Sequence, residues 1–327
     1  MTAHVDVPGT VCDDPAVSPA GRDVAPPMPP ELVGREVDTL PRQQILLEHG
    51  PFAVLCVSAA QAPAVLWELG RLRELTFRRA GEGSGRALDL DAFDDHYLHL
   101  VAWSRVHRSV VGAYRMGPTE PITATQGVQG MYTRSLWRYE QALLERIGPA
   151  LELGRSFVHP DFQRSPILLS LLWRGVGAWL VRNPQVRTLL GPVSIDRRYR
   201  EASIQLMAGH LLLRQLAPDL ARLVEPITPL ALDLEHAARG GVLPDVEALD
   251  RAVAREEGDG RGIPVLLRQY LKLGAKVLSL NVDPDFANVV DAFISVDLDR
   301  AEPRRLRRFM GEAEHEGWQR AGLPVAA

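Results

Sequence analysis

The run Leu151-Glu152-Leu153-Gly154-Arg155-Ser156-Phe157-Val158 constrains this chain more than any other. It has the apolar content of a strand that ends at His159-Pro160, yet it carries a carboxylate and a guanidinium. Alternate residues of a strand share a face, so Glu152 and Arg155 point to opposite faces unless a bulge intervenes. Gly154, between them, is where such a bulge fits. A charge in an apolar strand is costly to bury unless it is paired or put to use. Two readings follow: a plain ion pair of Glu152 or Asp95 with Arg115 or Arg155, or a working site.

The surrounding pattern supplies a sheet and helices. Phe52–Val57, Tyr97–Trp103, Ser109–Met116, Leu151–Val158, Thr188–Ile195, Ala275–Leu280 and Asp291–Asp297 read as strands. Val65–Arg79 has helical spacing with Arg71, Arg73 and Arg78 at polar positions, and Gly81–Gly85 breaks it as a loop. Ser165 as N-cap and Pro166 at the first position open a helix over Ile167–Val181. Helices are also expected over Trp137–Arg146, Glu201–Leu216, around Val246–Arg255 and over Pro264–Gly274. Residues 1–45, with seven prolines before position 31 and few large apolar groups, read as a disordered arm. The rest, 46–327, reads as one α/β or α+β domain with a mixed sheet and a helical insertion around 200–262.

Composition removes several functions. The chain has 327 residues, with 37 Lys plus Arg against 41 Asp plus Glu, so its net charge of −4 offers no global attraction to nucleic acid. Two cysteines, Cys12 and Cys56, build neither a disulfide framework nor a four-ligand zinc site, and suit a reducing cytoplasm. No metal site is expected, because His96 and His99 face opposite ways along a strand, and His159 reads as structural. No apolar window is long and uninterrupted enough to span a bilayer. P-loop, nucleophile-elbow and H-E-x-x-H patterns are missing, which disfavours nucleotidases, α/β-hydrolases and zinc proteases of those types.

Taken together, the motifs resemble one branch of the GNAT acyltransferase superfamily. They are Leu72-Arg-x-Leu-x-Phe77, the acidic knot Asp91-x-Phe-Asp94-Asp95, Val110-Val-Gly-x-Tyr-Arg115, the run Leu151 to Phe162 and Leu190-Gly-Pro-Val-Ser-Ile195. Ile263 to Lys276 and Asp283-Pro-Asp-Phe286 with Asp291 extend the likeness over roughly residues 65–310. That branch holds bacterial ornithine–acyl-carrier-protein N-acyltransferases and proteins labelled hemolysin-like; acyl-homoserine-lactone synthases are similar over the first half. The resemblance implies a twisted mixed sheet split between two central strands, where an acyl thioester enters.

It also implies site residues. Glu152 would be the base for the acceptor amine, with Arg155 and Arg115 holding its carboxylate and Asp95, beside Asp94, a distal ammonium. Val158, Arg164, Ser165 and Ile167 would meet the donor's phosphopantetheine. The superfamily's glycine-rich pyrophosphate loop is replaced here by Gln163-Arg-Ser-Pro-Ile-Leu168. A loop without glycines approaches a pyrophosphate poorly, which favours acyl carrier protein over acyl-CoA as donor. No tightly bound cofactor is expected. Arg164, Arg174, Arg197, Arg198 and Arg200 would dock the acidic carrier. The product would be an N-acylated, ornithine-like amino acid for lipid synthesis, made in the cytoplasm or peripherally at the inner membrane. The alternatives are a homoserine-lactone-type synthase and a non-catalytic acyl-binding module.

Overall fold

A computed structural model describes residues 22–165 and 167–321. Its frame is an eight-stranded sheet in the order β1-β2-β3-β4-β6-β7-β10-β9. These are β1 Ile45–His49, β2 Phe52–Ser58, β3 Leu98–Ser104, β4 Ser109–Pro118, β6 Ala150–Val158, β7 Thr188–Ile195, β9 Lys276–Asp283 and β10 Val289–Asp297. The short strands β5 (Trp137–Arg138) and β8 (Glu225–Pro226) pair apart from it. Every neighbour in the main sheet runs antiparallel except β6 and β7, which are parallel.

Alternation along the strands sends side chains into cores on both faces. Ala53, Leu55 and Val57 of β2 pack with Leu69, Leu72 and Phe77 of helix α2 (Pro63–Arg79). Val54 and Cys56 join the other core, with Leu171, Leu172 and Val176 of helix α5 (Leu168–Arg182). Cys56 is therefore a core residue, and burial pushes its thiol up to about 12.

The parallel pair β6–β7 is joined only over Ala150–Glu152 against Thr188–Leu190, and beyond that the strands diverge. Gly191 permits the divergence: its φ is +147°, and a Cβ there would drive into the carbonyl oxygen of Leu153. Past the split, the edge of β6 from Leu153 to Val158 faces β7 without a ladder, while its other edge stays paired with β4. The expected split mixed sheet is thus present, with α6 (Glu201–Arg214), α7 (Pro218–Ala221), α8 (Leu234–Gly241) and α9 (Val246–Glu257) inserted between β7 and β9.

Several local expectations are corrected. Residues 22–45 are not a disordered arm: they include helix α1 (Pro30–Thr39), whose Val33 is buried and whose Glu36 accepts both Ala64 N and Val65 N at the start of α2. Residues 1–21 lie outside the described residues. Trp137–Arg146 is not one helix, because Trp137 pairs with Pro226 in β5 and helix α4 starts only at Gln141 (Gln141–Ile147). Ser165 does not cap α5; Ile167 holds the N-cap position without a side-chain bond, and Pro166 lies outside the described residues. Helix α3 (Thr119–Gln126) and strand β1 were not expected, while α10 (Val265–Lys272) was.

Candidate active site

The divergence of β6 and β7 opens a cavity of about 510 Å³ that crosses the sheet. One end is apolar, lined by Leu169 and Leu172 of α5, Val265, Leu266 and Tyr270 of α10, and Tyr114. The other end is polar: Arg155 of β6, Tyr132, Glu82, Asp283 of β9 and Asp291 of β10. Leu153 to Val158 of β6 and Pro192 to Ser194 of β7 form the walls between the two ends.

Arg155 reaches the cavity through the bulge. Arg115 pairs with Gly154 and Ala113 with Phe157, so Arg155 and Ser156 of β6 together oppose the single residue Tyr114 of β4. The extra residue is Arg155 itself, held at φ +47°. This shift returns Arg155 to the face of Glu152, against the strict alternation of an unbroken strand. Its Nε lies 3.0 Å from Asp89 Oδ2, its Nη1 donates to Tyr132 Oη at 2.9 Å, and the guanidinium stacks over Tyr132 and Phe286. Burial works against its charge, but Asp89 and its other partners outweigh that and hold the guanidinium well above the usual range.

Behind Arg155 runs a buried ion network. Arg73 lies 2.7 Å from Asp94, Arg115 lies 2.6 Å from Asp91 and 3.5 Å from Asp94. Burial raises the Asp94 carboxyl, yet Arg73 and Arg115 together hold it well below the usual carboxylate range. His99 Nε2 donates to the Asp94 carbonyl at 3.0 Å, which leaves Nδ1 to accept from Arg73 at 3.2 Å; burial and Arg73 push this ring down to about 4. Arg73, read as a polar-face residue, is completely buried because Asp94 waits for it there.

Glu152 is buried and does not line the cavity. Its Oε1 accepts from Tyr97 Oη at 2.9 Å and its Oε2 from Thr133 Oγ1 at 2.6 Å and Thr133 N at 3.4 Å. Tyr97 Oη in turn accepts from Tyr132 N at 2.8 Å. Burial raises the carboxyl, with the Thr133 and Tyr97 bonds opposing. This carboxylate therefore anchors the 3-10 turn Tyr132–Ser135, which carries the cavity residue Tyr132.

The other sequence-derived residues divide between cavity and scaffold. Val158 and Ser165 line the cavity, whereas Arg164 and Ile167 are exposed beside it. Arg115 and Asp94 are buried in the ion network and are not among the residues that line the cavity. Asp95 is exposed and away from the cavity, since the 3-10 turn Ala92–Asp95 aims Asp94 inward instead. His159 Nδ1 accepts from Asp161 N, as befits a structural histidine. Of the candidate docking arginines, Arg174 meets Glu314, Arg197 meets Glu201, Arg198 meets Asp196, and Arg200 donates to the Glu256 carbonyl. No three His, Cys, Asp or Glu side chains are arranged to hold a metal ion among the described residues. Among them, too, no helix is long and apolar enough to cross a membrane.

Three carboxylates of the cavity were not singled out as site residues. Glu82 sits in the Gly81–Gly85 loop, which folds onto buried Glu74: Oε2 accepts from Ser84 Oγ at 2.7 Å and Oε1 from Gly85 N at 2.8 Å. Burial, then Asp196 and Asp291, push Glu82 up to about 7. Asp291 is likewise pushed up to about 7 by burial, with Ser194 opposing and Asp283 adding, and Asp283 is raised by burial too. The signal for Asp283 and Asp291 was their place in the motif run; for Glu82 there was none.

Residues 72–174 match the model of the GNAT acetyltransferase domain. Over 306 residues the chain is 28% identical to a glycine N(alpha)-acyltransferase of Bacteroides thetaiotaomicron, covering 87% of this chain and 89% of the relative. An L-ornithine N(alpha)-acyltransferase of Brucella abortus is 28% identical over 233 residues, 69% of this chain and 75% of its own. Among solved structures, a CoA-dependent acyl-homoserine lactone synthase with SAM and isopentyl-CoA aligns over 83% of this chain and 89% of its own, at 14% identity and a TM-score of 0.38.

Proposed function

The chain is an acyltransferase of the GNAT superfamily, and on that premise we propose that it moves a long-chain acyl group from the phosphopantetheine thioester of acyl carrier protein to the α-amine of an amino acid. The observation that carries this reading is the two-ended cavity: one apolar end suited to an acyl chain, one end with a guanidinium and carboxylates suited to a zwitterion. In this reading the thioester lies along the unpaired edge of β6, where free backbone groups accept an extended arm. The loop after His159 lacks glycines, which favours a donor with one phosphate over one with a pyrophosphate.

The acceptor carboxylate goes to Arg155, whose planar fork offers bidentate contact while Asp89 and Tyr132 keep it oriented. Glu152 is a positioning residue that holds Tyr132 through its turn, rather than the base. Glu82, Asp283 and Asp291 give the polar end carboxyl groups that a second ammonium can pair with, which suits an ornithine-like acceptor over glycine. The resulting N-acyl amino acid is a precursor of amino-acid lipids and partitions to the membrane surface, so peripheral contact there accompanies the reaction.

The test is mass spectrometry after incubating the protein with palmitoyl-acyl carrier protein or palmitoyl-CoA and, in turn, glycine, ornithine, lysine and S-adenosylmethionine. The reading expects an N-palmitoyl amino acid in excess of enzyme, fastest from the carrier donor and a cationic amino acid. No product with any pair would refute transfer; product only with S-adenosylmethionine would favour the lactone-synthase alternative.

A further inference from the structure

We propose that Asp291 of β10 is the catalytic group that takes the proton from the acceptor amine, an inference that rests on the transfer reaction proposed above. An amino acid arrives as an ammonium, and its nitrogen attacks a thioester only after losing a proton to a group in contact with it. That group must line the cavity, hold a free carboxylate oxygen, and be fixed in position.

Asp291 meets all three conditions. It is 3% exposed overall, and the surface it does present belongs to the cavity. Its strand is laddered on both sides, to β7 through Ser194 and to β9 through Asn281, so the backbone is held. Ser194 donates its hydroxyl to Oδ1 at 2.7 Å, while Oδ2 accepts no hydrogen bond from the described residues. Ser194 lies four residues past Leu190, the last β7 residue paired with β6, so this carboxylate borders the gap between the diverging strands. Glu152 meets none of these needs except fixity, because its oxygens are engaged and it lies outside the cavity. Glu82 lines the cavity but rides on a loop, tied by its backbone N to the Phe77 carbonyl, and its carboxyl has no hydrogen-bond partner among the described residues to aim it.

The groups facing Asp291 tune it for this work. Asp283 comes from β9, Glu82 from the loop after α2, Arg155 from β6, Tyr132 from its 3-10 turn, and the Ser194 hydroxyl from β7. The two acids favour the protonated form; Arg155 and Ser194 favour the anion. A base balanced near neutral pH is both deprotonated in part and strong enough to act.

The Asp291 carboxylate takes one proton from the ammonium, and the freed nitrogen lone pair forms the C–N bond at the thioester carbonyl. The C–S bond breaks, the thiolate leaves with its electron pair and receives the second proton lost by nitrogen, and Asp291 releases its proton to water.

The experiment is a pH profile of kcat/KM for wild type, Asp291→Asn, Ser194→Ala and Glu82→Gln, each first shown folded by circular dichroism. Wild type should lose activity on the acid side with a midpoint near 7. Asp291→Asn should fall by about 100-fold or more, the usual scale of general-base catalysis, and lose the acid limb. Ser194→Ala keeps the base but removes a bond to its anion, so its limb should move to higher pH. A merely structural Asp291 would leave the limb in place. Asp291→Asn within about threefold of wild type with the same limb, or loss of the limb in Glu82→Gln instead, would overturn the assignment. An inactive wild type would refute the transfer reaction and this role together; an active wild type with an unaffected Asp291→Asn refutes this role alone.

Discussion

A carboxylate kept in a cavity among other carboxylates should destabilise the fold, and the Asp291→Asn variant measures by how much. Asp291 is raised from 3.8 to about 7, first by burial. An acid raised on folding stabilises nothing above its unfolded pKa; it costs stability there. Below about pH 4 the group is protonated in both states and its penalty is absent. Between about pH 4 and 7 the unfolded chain releases the proton while the folded one keeps it, so stability falls as pH rises. Above 7 the full penalty is present. At about 1.4 kcal/mol per pH unit, the interval from 3.8 to about 7 amounts to roughly 4 kcal/mol.

Asparagine removes the charge while its Oδ1 still accepts from Ser194, so the hydrogen bond survives the substitution. The variant should therefore be more stable than wild type at pH 8, by several degrees and at most about 10 °C in Tm. At pH 5 the gain should shrink by more than half. Thermal unfolding followed by circular dichroism at the two pH values reads the difference directly. An equal change at both, or a loss of stability at pH 8, would show that Asp291 carries no buried charge, and the reasoning about this cavity would fail. Greater stability with lower activity is the trade expected where a site holds a strained group for its chemistry.

Three other substitutions probe separate parts of the site. Glu152→Gln places an amide among the donors Tyr97 Oη, Thr133 Oγ1 and Thr133 N; urea unfolding should show a loss of about 2–3 kcal/mol, and with Asp291 as the proposed base the acid limb of the rate should persist. Arg155→Lys keeps the charge but loses the fork shared with Asp89 and Tyr132. Steady-state kinetics should show KM for the amino acid rising at least about tenfold, with little change for the matching amine that lacks a carboxylate. Gly191→Ala forces a side chain at φ +147° into the Leu153 carbonyl where the strands part, and should cost about 2 kcal/mol or more in denaturant unfolding.

Much of the architecture was legible because the strands are short apolar runs bounded by turn residues, and α5 and α9 follow helical spacing. The charge-bearing strand at 151–158 was legible too, with the bulge shifted by one residue from Gly154 to Arg155. In the acidic knot, Asp91 and Asp94 form a reciprocal capping box, Asp91 accepting from Phe93 N and Asp94 accepting from Asp91 N. That local bonding turns Asp94 inward and Asp95 outward, a choice that spacing alone does not reveal. Arg73 looked like a solvent-facing helix residue because its partner, Asp94, is 21 positions away. Glu82 and Asp291 meet only because β10 slots between β7 and β9, and no periodicity encodes that adjacency.

The two charges of the 151–158 strand are held in different ways. A non-glycine residue at φ +47° carries backbone strain of about 1 kcal/mol or more, and it persists only where its surroundings over-determine it. Here Asp89 and Tyr132 do so, and Tyr132 is itself held by a turn that Glu152 anchors. Glu152 thus anchors the turn whose Tyr132 holds the Arg155 guanidinium at the cavity. Arg115 shows the same division: it is neutralised by Asp91 and Asp94, stacks over Tyr132, and buttresses the ring from behind. The ion pairs that a sequence reader would count as plain scaffold and the guanidinium that reads as a site are therefore one device. Removing any buried member should loosen Arg155 before it unfolds the sheet.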